Sequence, residues 1–299
     1  MYIVKNKALF LSISLLLIVA SLAAVALFGL KKGIDFTGGA NVQVTYTGET
    51  PDVTLIKESI KEAGLGESLV QPTETGVSVK LRDIGEAERE ALAAGLSLGG
   101  TREYKEVSFT SVGPSIGNEL TQKAIIAVIA VVLAIVIFIA FSFRHVSEPV
   151  PSWKYGVIAI VTFLHDIIIP LGLIAVLGHY AGAEIDTLFV VAILTILGIS
   201  ISDTIVVFDR IRENLRLKVS NDFETVVGKS LSQSFARSIN TSLTVIIVLV
   251  ALYFFGPSAT KLFSLILITG MAVGTYSSIF VASPLLILAE SFQRKNSNK

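Results

Sequence analysis

The sequence contains no cysteine, only three histidines and few charged residues. Without cysteine the chain can form neither a disulfide nor a thiolate metal site. The histidines, His145, His165 and His179, lack the spacing of metal ligands, so we expect no metal site and no cofactor. No nucleotide-binding loop is present either, and we expect neither enzymatic activity nor nucleic-acid binding. Only 16% of the 299 residues are charged and 52% are hydrophobic, which favours a membrane protein over a soluble domain.

Long apolar runs are what the sequence has in abundance. A helix of about 20 residues crosses a hydrocarbon core of roughly 30 Å at 1.5 Å rise per residue. Six runs reach this length, which predicts a polytopic α-helical membrane protein with six transmembrane helices. The runs cover 8–30, 122–143, 155–177, 187–208, 236–255 and 262–288.

The first run could also be a cleaved signal peptide, because Lys5 and Lys7 precede it and Ala24-Val-Ala26 lies near its end. Its apolar stretch is too long for the core of a signal peptide, and it ends in Lys31 and Lys32. The sequence therefore predicts an uncleaved first transmembrane helix over 8–30.

Basic residues predict the orientation. Short loops rich in Lys and Arg face the cytoplasm. On this rule both termini are cytoplasmic, 31–121 is extracytoplasmic, and 209–235 is a cytoplasmic loop within a five-helix region over 122–295. We expect the cytoplasmic membrane as the location. The basic clusters are Lys5 and Lys7; Arg144 and Lys154; Arg210, Arg212, Arg216, Lys218 and Lys229; and Arg294, Lys295 and Lys299.

The segment 31–121 is the only part of the sequence with a soluble pattern. Apolar and polar residues alternate over 42–46 and 77–81, as in half-buried strands. Helix-start signals occur at Asp52 and near Glu86. The order βαββαβ predicts a small α+β domain with a ferredoxin-like fold.

Two further motifs have more than one interpretation. Asn221–Glu224 resembles a capping box, and the helix after it could lie on the membrane face or connect two spans while packed on the bundle. Gly113–Gly117 matches the G-x-S-x-G pattern of hydrolases, but Pro114 and the following span do not fit a nucleophile elbow. A turn leading into the membrane is the better interpretation.

Charged residues inside apolar runs are the strongest functional signal. A charge at membrane depth is costly unless it is paired, protonated or solvated, so it marks a candidate site. Asp203 and Arg237 lie about 9 and 12 Å from the centres of consecutive spans at 1.5 Å per residue, both toward the cytoplasm, and could meet. Alternatively, Arg237 extends to the interface, and Asp203 is a structural residue hydrogen-bonded near Ser202 and Thr204.

A second pair, His165 and Asp166, lies near the centre of the third span. Adjacent helical residues diverge by about 100°, so the two side chains cannot squarely face one pore wall. Pro170 could free backbone groups toward a polar cavity. Either a proton-carrying role or a buried polar pair is compatible with this pattern.

Small residues cover one face of the sixth span. Gly270 and Gly274 are followed by Ser277 and Ser278. Small residues at this spacing allow close helix packing, within the chain or against a partner.

Several runs together resemble the SecF family of the Sec translocon accessory complex. The resemblance covers nearly the whole sequence. It rests on Gly33–Gly39, Val112–Pro114, His165-Asp166, Ser202–Asn214, Ala236–Ser242 and Gly274–Ser278.

The resemblance implies one half of an RND-type core, with SecD as the partner in a heterodimer. It also implies contact with the SecYEG translocon, YajC, YidC, exported preproteins and the lipid bilayer, with export driven by the proton-motive force. The implied residues fall into three sets. They are Asp203, Arg237 and Asp166 for proton transfer; His165, Ser202, Thr204 and Asn240 as supporting polar groups; and Gly33, Asp35, Gly38 and Gly39 as a domain hinge.

Two other functions remain open on the residues. One is a half-size RND-type exporter of small molecules or lipids, although the domain over 31–121 is small for a substrate funnel. The other is a structural subunit whose polar residues only hold helices together.

Overall fold

The computed structural model describes residues 2–73, 76–142 and 150–297. His145, Arg144 and Lys299 lie outside these ranges. Within them, six helices are long and apolar enough to cross a membrane, which confirms the predicted number. Their bounds are Lys7–Phe28, Pro114–Ile139, Trp153–Tyr180, Thr187–Arg216, Phe223–Phe255 and Ser258–Gln293.

The chain divides into two compact units. One contains Met1–Lys31 and Ala127–Lys299, and the other contains Lys32–Ile126. The helices are α1 (Tyr2–Lys5), α2 (Lys7–Phe28), α3 (Ile34–Thr37), α4 (Val53–Ile60), α5 (Glu86–Leu96), α6 (Pro114–Ser142), α7 (Ser152–Tyr180), α8 (Thr187–Arg216), α9 (Phe223–Phe255), α10 (Ser258–Ser277) and α11 (Ser283–Ser297). The strands are β1 (Gly39–Tyr46), β2 (Leu69–Pro72), β3 (Gly76–Leu81) and β4 (Tyr104–Val112).

The smaller unit contains a four-stranded sheet in the order β2-β3-β1-β4, in which every neighbouring pair is antiparallel. Strands and helices alternate as βαββαβ along the chain, as the sequence predicts. Val42 pairs with Val79 and Val44 with Val77, so one face of the sheet is apolar. That face forms a buried core with residues of α4 and α5, including Ile56 and Leu96.

A glycine turn precedes β1. Gly38 and Gly39 have φ of 76° and 135°, values that side chains with a Cβ rarely adopt. A Cβ on Gly38 would lie 2.9 Å from the Cα of Pro114, the first residue of α6. Gly113–Gly117 is therefore a packed turn and helix start, as the sequence predicts. Gly33 has an ordinary φ of −76° and is the N-cap of α3.

The larger unit, Met1–Lys31 with Ala127–Lys299, is called the membrane unit here, and its central helices are α7, α8 and α10 with α11. In the most apolar stretch of each of these helices, 44–61% is buried within the chain, against 11–17% for α2, α6 and α9. Three helices therefore form the core, and three leave most of their surface for lipid or another protein.

The segment 209–235, predicted as a cytoplasmic loop that contains a helix, is helical over most of its length. Helix α8 continues to Arg216 and α9 begins at Phe223, so only 217–222 separates them. Phe223 and Leu231 are buried in the core of the membrane unit. Of the two interpretations of this segment, the structure has the connecting helix packed on the bundle. The helix continues without a break into the fifth span. Its first turns carry polar residues on one side and bury apolar residues on the other.

The sixth span also differs from the prediction. It begins at Ser258, and a π-helical turn over Ser278–Ala282 separates α10 from α11. Such turns widen a helix locally and often occur at functional sites. This one lies directly after Ser277.

Candidate functional site

One turn of α8 connects three other elements of the membrane unit. Three polar side chains on this turn bond to three different neighbours. The Ser200 hydroxyl donates to Asp166 on α7, Asp203 accepts from Ser238 on α9, and Thr204 bonds to Ser278 of the π-helical turn. Since residues three and four apart lie close together on a helix, one patch of α8 organises the polar interior of the bundle.

Asp166 is completely buried and well partnered. Its Oδ2 accepts hydrogen bonds from Ser200 Oγ at 2.5 Å and from Ser277 Oγ at 2.9 Å. Its Oδ1 lies 2.9 Å from Nδ1 of His165. An ionised carboxylate only accepts, so Nδ1 is the donor when Asp166 is charged. The carboxyl thus holds three elements together.

His165 contacts Asp166 although the two residues are adjacent on one helix. The sequence argument that they diverge holds for the Cα–Cβ directions, but the side chains turn toward each other. His165 Nε2 is buried and has no hydrogen-bond partner in the part of the chain that the structure describes. Its ring lies parallel to that of Tyr276 at 6.3 Å, and the Tyr276 hydroxyl donates to the Phe10 carbonyl oxygen at 2.9 Å. This links the cluster to the first span.

Gly270 and Gly274 allow α10 to approach α8 closely. A Cβ on Gly270 would lie 2.1 Å from Ile196 Cδ1, and one on Gly274 would lie 3.1 Å from Ser200 Cβ. Ser277 and Ser278 are fully buried as well. Of the two possibilities that the sequence left open, the small-residue face therefore packs within the chain.

Asp203 differs from Asp166 in its surroundings. The residue is partly exposed. Its Oδ1 accepts a hydrogen bond of 3.0 Å from Ser238 Oγ, whereas Oδ2 is buried with no hydrogen-bond partner among the described residues. Sequence reasoning missed Ser238, although it belongs to the quoted run 236–242. A buried serine on the neighbouring helix is not visible from depth alone.

Arg237 does not form the predicted ion pair. Among the described residues, the ion pairs within 4.0 Å do not include Asp203 with Arg237. Arg237 is exposed and lines a cavity of about 270 Å³ between α8 and α9, together with Asp209, Glu213 and Gln233. The guanidinium thus extends into a polar cleft that begins one turn along α8 from Asp203, at Val206.

The other expected polar residues separate into two groups. His165 and Thr204 are buried in the cluster, whereas Ser202 and Asn240 are exposed on their helices. The adjacent residues Asp209 and Arg210 each form an ion pair with another residue of α8. Asp209 pairs with Arg212, and Arg210 with Glu213, because residues three apart on a helix face each other.

No metal centre emerges from the described part of the chain, where no three His, Cys, Asp or Glu residues are grouped to hold an ion. The residues near Asp203 and Asp166 are hydroxyl, imidazole and carboxyl groups. These groups can exchange protons.

The chain is thus a six-helix membrane protein with one buried and one partly exposed carboxyl group among its helices. Two family models match its sequence. The model "Protein export membrane protein SecD/SecF, C-terminal" matches residues 96–291, and the "SecD/SecF GG Motif" matches residues 23–49. The second match contains Gly38 and Gly39. The chain therefore belongs to the SecD/SecF family of protein export membrane proteins.

Similar proteins place it on the SecF side of this family. It is 42% identical to protein translocase subunit SecF of Thermobaculum terrenum, covering 97% of this chain and 94% of that one. It is 35% identical to SecF of Anaerolinea thermophila, covering 98% and 96%. The resemblance inferred from the motifs is thus confirmed.

Two solved structures are similar over the whole chain. The crystal structure of SecDF, a translocon-associated membrane protein from Thermus thermophilus, has a TM-score of 0.84 at 30% identity and covers 98% of this chain. SecDF in a Super-membrane-facing form has a TM-score of 0.68 at 30% identity, over 100% of this chain. This chain spans 39% of the length of each of those proteins.

Proposed function

We propose that the chain is the SecF subunit of a protein translocase and that, with a SecD-like partner, it uses the proton-motive force to promote late steps of protein export. Family membership favours this function over a small-molecule exporter. The observation that carries the proton-coupled part is Asp203, whose Oδ1 is hydrogen-bonded while its buried Oδ2 is not.

Asp203 is the carboxyl that we expect to gain and lose the proton. The unpartnered Oδ2 is the natural protonation site, because adding a proton there breaks no existing hydrogen bond. Ser238 holds the other oxygen in place. Arg237 lines the polar cleft one turn away, and its approach would favour the ionised form, because an opposite charge nearby stabilises a carboxylate. A modest movement of α9 relative to α8 would change both contacts and thereby switch the proton affinity.

Asp166 has a different role in this proposal. Both of its oxygens are already occupied by groups on three elements. Of the proton-carrying role and the buried polar pair, these contacts favour the second. We propose that Asp166 and His165 hold α7, α8 and α10 in register, so that changes at Asp203 move the bundle as one body.

The membrane orientation and the domain assignment are part of the proposal. The basic clusters support cytoplasmic termini in the cytoplasmic membrane, with the domain over 31–121 on the opposite side. The antiparallel order β2-β3-β1-β4 with two helices on one face supports a ferredoxin-like fold for this domain. Its hinge would be the glycine turn at Gly38 and Gly39, with Gly33 and Asp35 leading into it.

A SecD-like partner is proposed from the outer surface of the bundle. Ser202, Arg237 and Asn240 are exposed, and Asp203 is partly so, at depths where lipid would leave them unsolvated. A second six-helix half would cover them. The buried Gly270 face cannot serve this purpose. Contacts with SecYEG, YajC, YidC and preproteins follow from the family and are proposed only as partners of the assembled complex.

Inverted membrane vesicles that contain the chain and its SecD-like partner test the proposed function. The measurement is preprotein translocation at fixed ATP, with and without a proton gradient. The wild-type chain is expected to gain from the gradient, because each charge that crosses the potential is worth about 2.3 kcal/mol per 100 mV. Asp203→Asn is expected to keep the ATP-driven part and lose the gain. A full gain in this variant would contradict the proton role.

A further inference from the structure

The domain over 31–121 carries a groove on its helical layer that the proton-transfer proposal does not use. It lies between α4 with its π-helical extension (Lys61–Leu65) and α5, and has a volume of about 540 Å³. Gly95 permits the close approach of the two helices, since a Cβ there would lie 3.1 Å from Ile60 Cα. The lining is apolar on both sides and is acidic along one. It includes Leu55, Ala63, Ala94, Leu98, Glu58 and Glu62.

The two carboxylates are uncompensated. Glu58 and Glu62 are four residues apart on one helical face, a spacing at which like charges repel. Among the described residues, neither forms an ion pair within 4.0 Å. The lysines of the same helix face elsewhere. Lys57 and Lys61 both pair with Glu67, at 3.5 and 2.7 Å.

The charge of the whole unit has the same sign. Lys32–Ile126 contains 14 acidic and nine basic residues in the sequence. Leu55 is 54% exposed at the edge of the groove. An apolar groove with an unpaired acidic wall in an acidic unit is complementary to a chain that combines apolar and basic side chains.

We propose that this groove binds an extended segment of the polypeptide under export, one in which apolar side chains alternate with Lys or Arg. The proposal rests on the proposed function and names a substrate contact for it. In an extended strand, side chains i and i+2 lie on one side about 6.6 Å apart. Glu58 on α4 and Glu62 on its π-helical extension both line the groove, four residues apart along the chain. Two basic residues at i and i+2 can therefore each face one of the two carboxylates.

The physical character of the site suits a passing chain. Exposed ion pairs are weak and screened by salt, so the affinity depends on apolar contacts and charge together. A segment that lacks either property is expected to bind poorly. A polypeptide in transit must dissociate readily, and a weak contact of this kind allows it to do so.

Peptide binding to the full-length chain tests this inference. The chain is placed in phosphatidylcholine nanodiscs, whose zwitterionic lipid does not attract basic peptides, and fluorescence anisotropy is measured with three labelled peptides. These alternate Lys with Leu, Glu with Leu, and Lys with Ser. The Lys–Leu peptide is expected to bind at least tenfold more tightly than the other two. Equal binding of the Glu–Leu peptide would overturn the proposal.

A matched pair of variants locates the site. Glu58→Gln with Glu62→Gln is expected to weaken Lys–Leu binding at least tenfold. Glu49→Gln with Glu103→Gln removes the same charge from exposed positions away from the groove and is expected to change binding less than twofold. Equal losses in the two double variants would leave only nonspecific charge attraction, and the groove would be rejected.

Crosslinking identifies the occupant during export. The chain has no cysteine, so Leu55→Cys provides a single thiol at the groove, and Leu69→Cys provides one at an equally exposed position on β2. A stalled export intermediate is expected to crosslink at least fivefold more at the first position. Crosslinks to the SecD-like partner alone would overturn the proposal. The gain from the proton gradient, measured in the same vesicles, separates failure of this inference from failure of the proposed function.

Discussion

Asp166 and Asp203 are carboxyl groups in the same helical bundle, and α8 contacts one and carries the other. Asp166 is fully buried and has three hydrogen-bond partners. Asp203 is partly exposed and has one hydrogen-bond partner among the described residues, and a cleft of about 270 Å³ begins one turn further along α8, at Val206. The same chemical group thus lies in one site where both oxygens are hydrogen-bonded and in another where only one oxygen is.

This difference indicates which of the two carboxyl groups can gain and lose a proton. A carboxylate with hydrogen bonds at both oxygens stabilises a unique packing, and protonation would alter at least one of these contacts. A carboxylate with one oxygen that accepts no hydrogen bond can change protonation at low structural cost. Membrane depth alone does not separate the two cases.

The largest expected effect comes from neutralising each carboxyl in turn. Asp203→Asn is expected to lower proton flux through proteoliposomes with the SecD-like partner by at least 100-fold, because the amide cannot release a proton. Asp166→Asn is expected to keep at least a third of the flux. Flux that depends on Asp166 and not on Asp203 would reverse the comparison.

Arg237 is expected to have the next largest effect. Arg237→Met removes the positive charge beside Asp203 and is expected to lower flux about tenfold or more, which corresponds to 1.4 kcal/mol or more. Arg237→Lys keeps the charge and is expected to retain a clear fraction of the wild-type flux. If the two variants behave alike, shape and not charge is the contribution of Arg237.

Ser238 sharpens the comparison because its hydroxyl is bonded to Asp203. Ser238→Ala removes a hydrogen bond to a charged group, and we expect a loss of flux of about three- to tenfold. Ser234→Ala is the matched control on the same helix, since the Ser234 hydroxyl donates to the carbonyl oxygens of Ser230 and Leu231 on α9. Equal effects of the two variants would assign the loss to helix packing.

The smallest expected change in flux accompanies a clear change in stability. Asp166→Ala leaves buried hydroxyl and imidazole donors unpartnered, at about 1–3 kcal/mol for an unsatisfied group. We expect the thermal midpoint of the purified chain to fall further for Asp166→Ala than for Asp203→Ala. The opposite order would show that Asp203 is the structural residue.

The sequence was enough to select candidate residues for the site but not to identify the residues that they contact. Membrane depth selected Asp203, Arg237 and Asp166 as candidates. It paired Asp203 with Arg237, but the structure pairs Asp203 with Ser238. Successive side chains on a helix point about 100° apart, so a shift of one residue changes which face meets α8. Depth is a property of one helix, whereas contact depends on how two helices are rotated.

The number of spans, the βαββαβ order of the domain and the family were determined by the sequence alone. Each depends on local properties: apolar length, alternation along a strand, and short motifs such as the one around Gly38. The tertiary structure alone decided that α9 is continuous from Phe223 and that the Gly270 face is internal. It also decided that both oxygens of Asp166 are hydrogen-bonded, whereas only one oxygen of Asp203 is. These features depend on which surfaces of distant segments meet, because a buried polar group is satisfied only by neighbours that packing brings within hydrogen-bond distance.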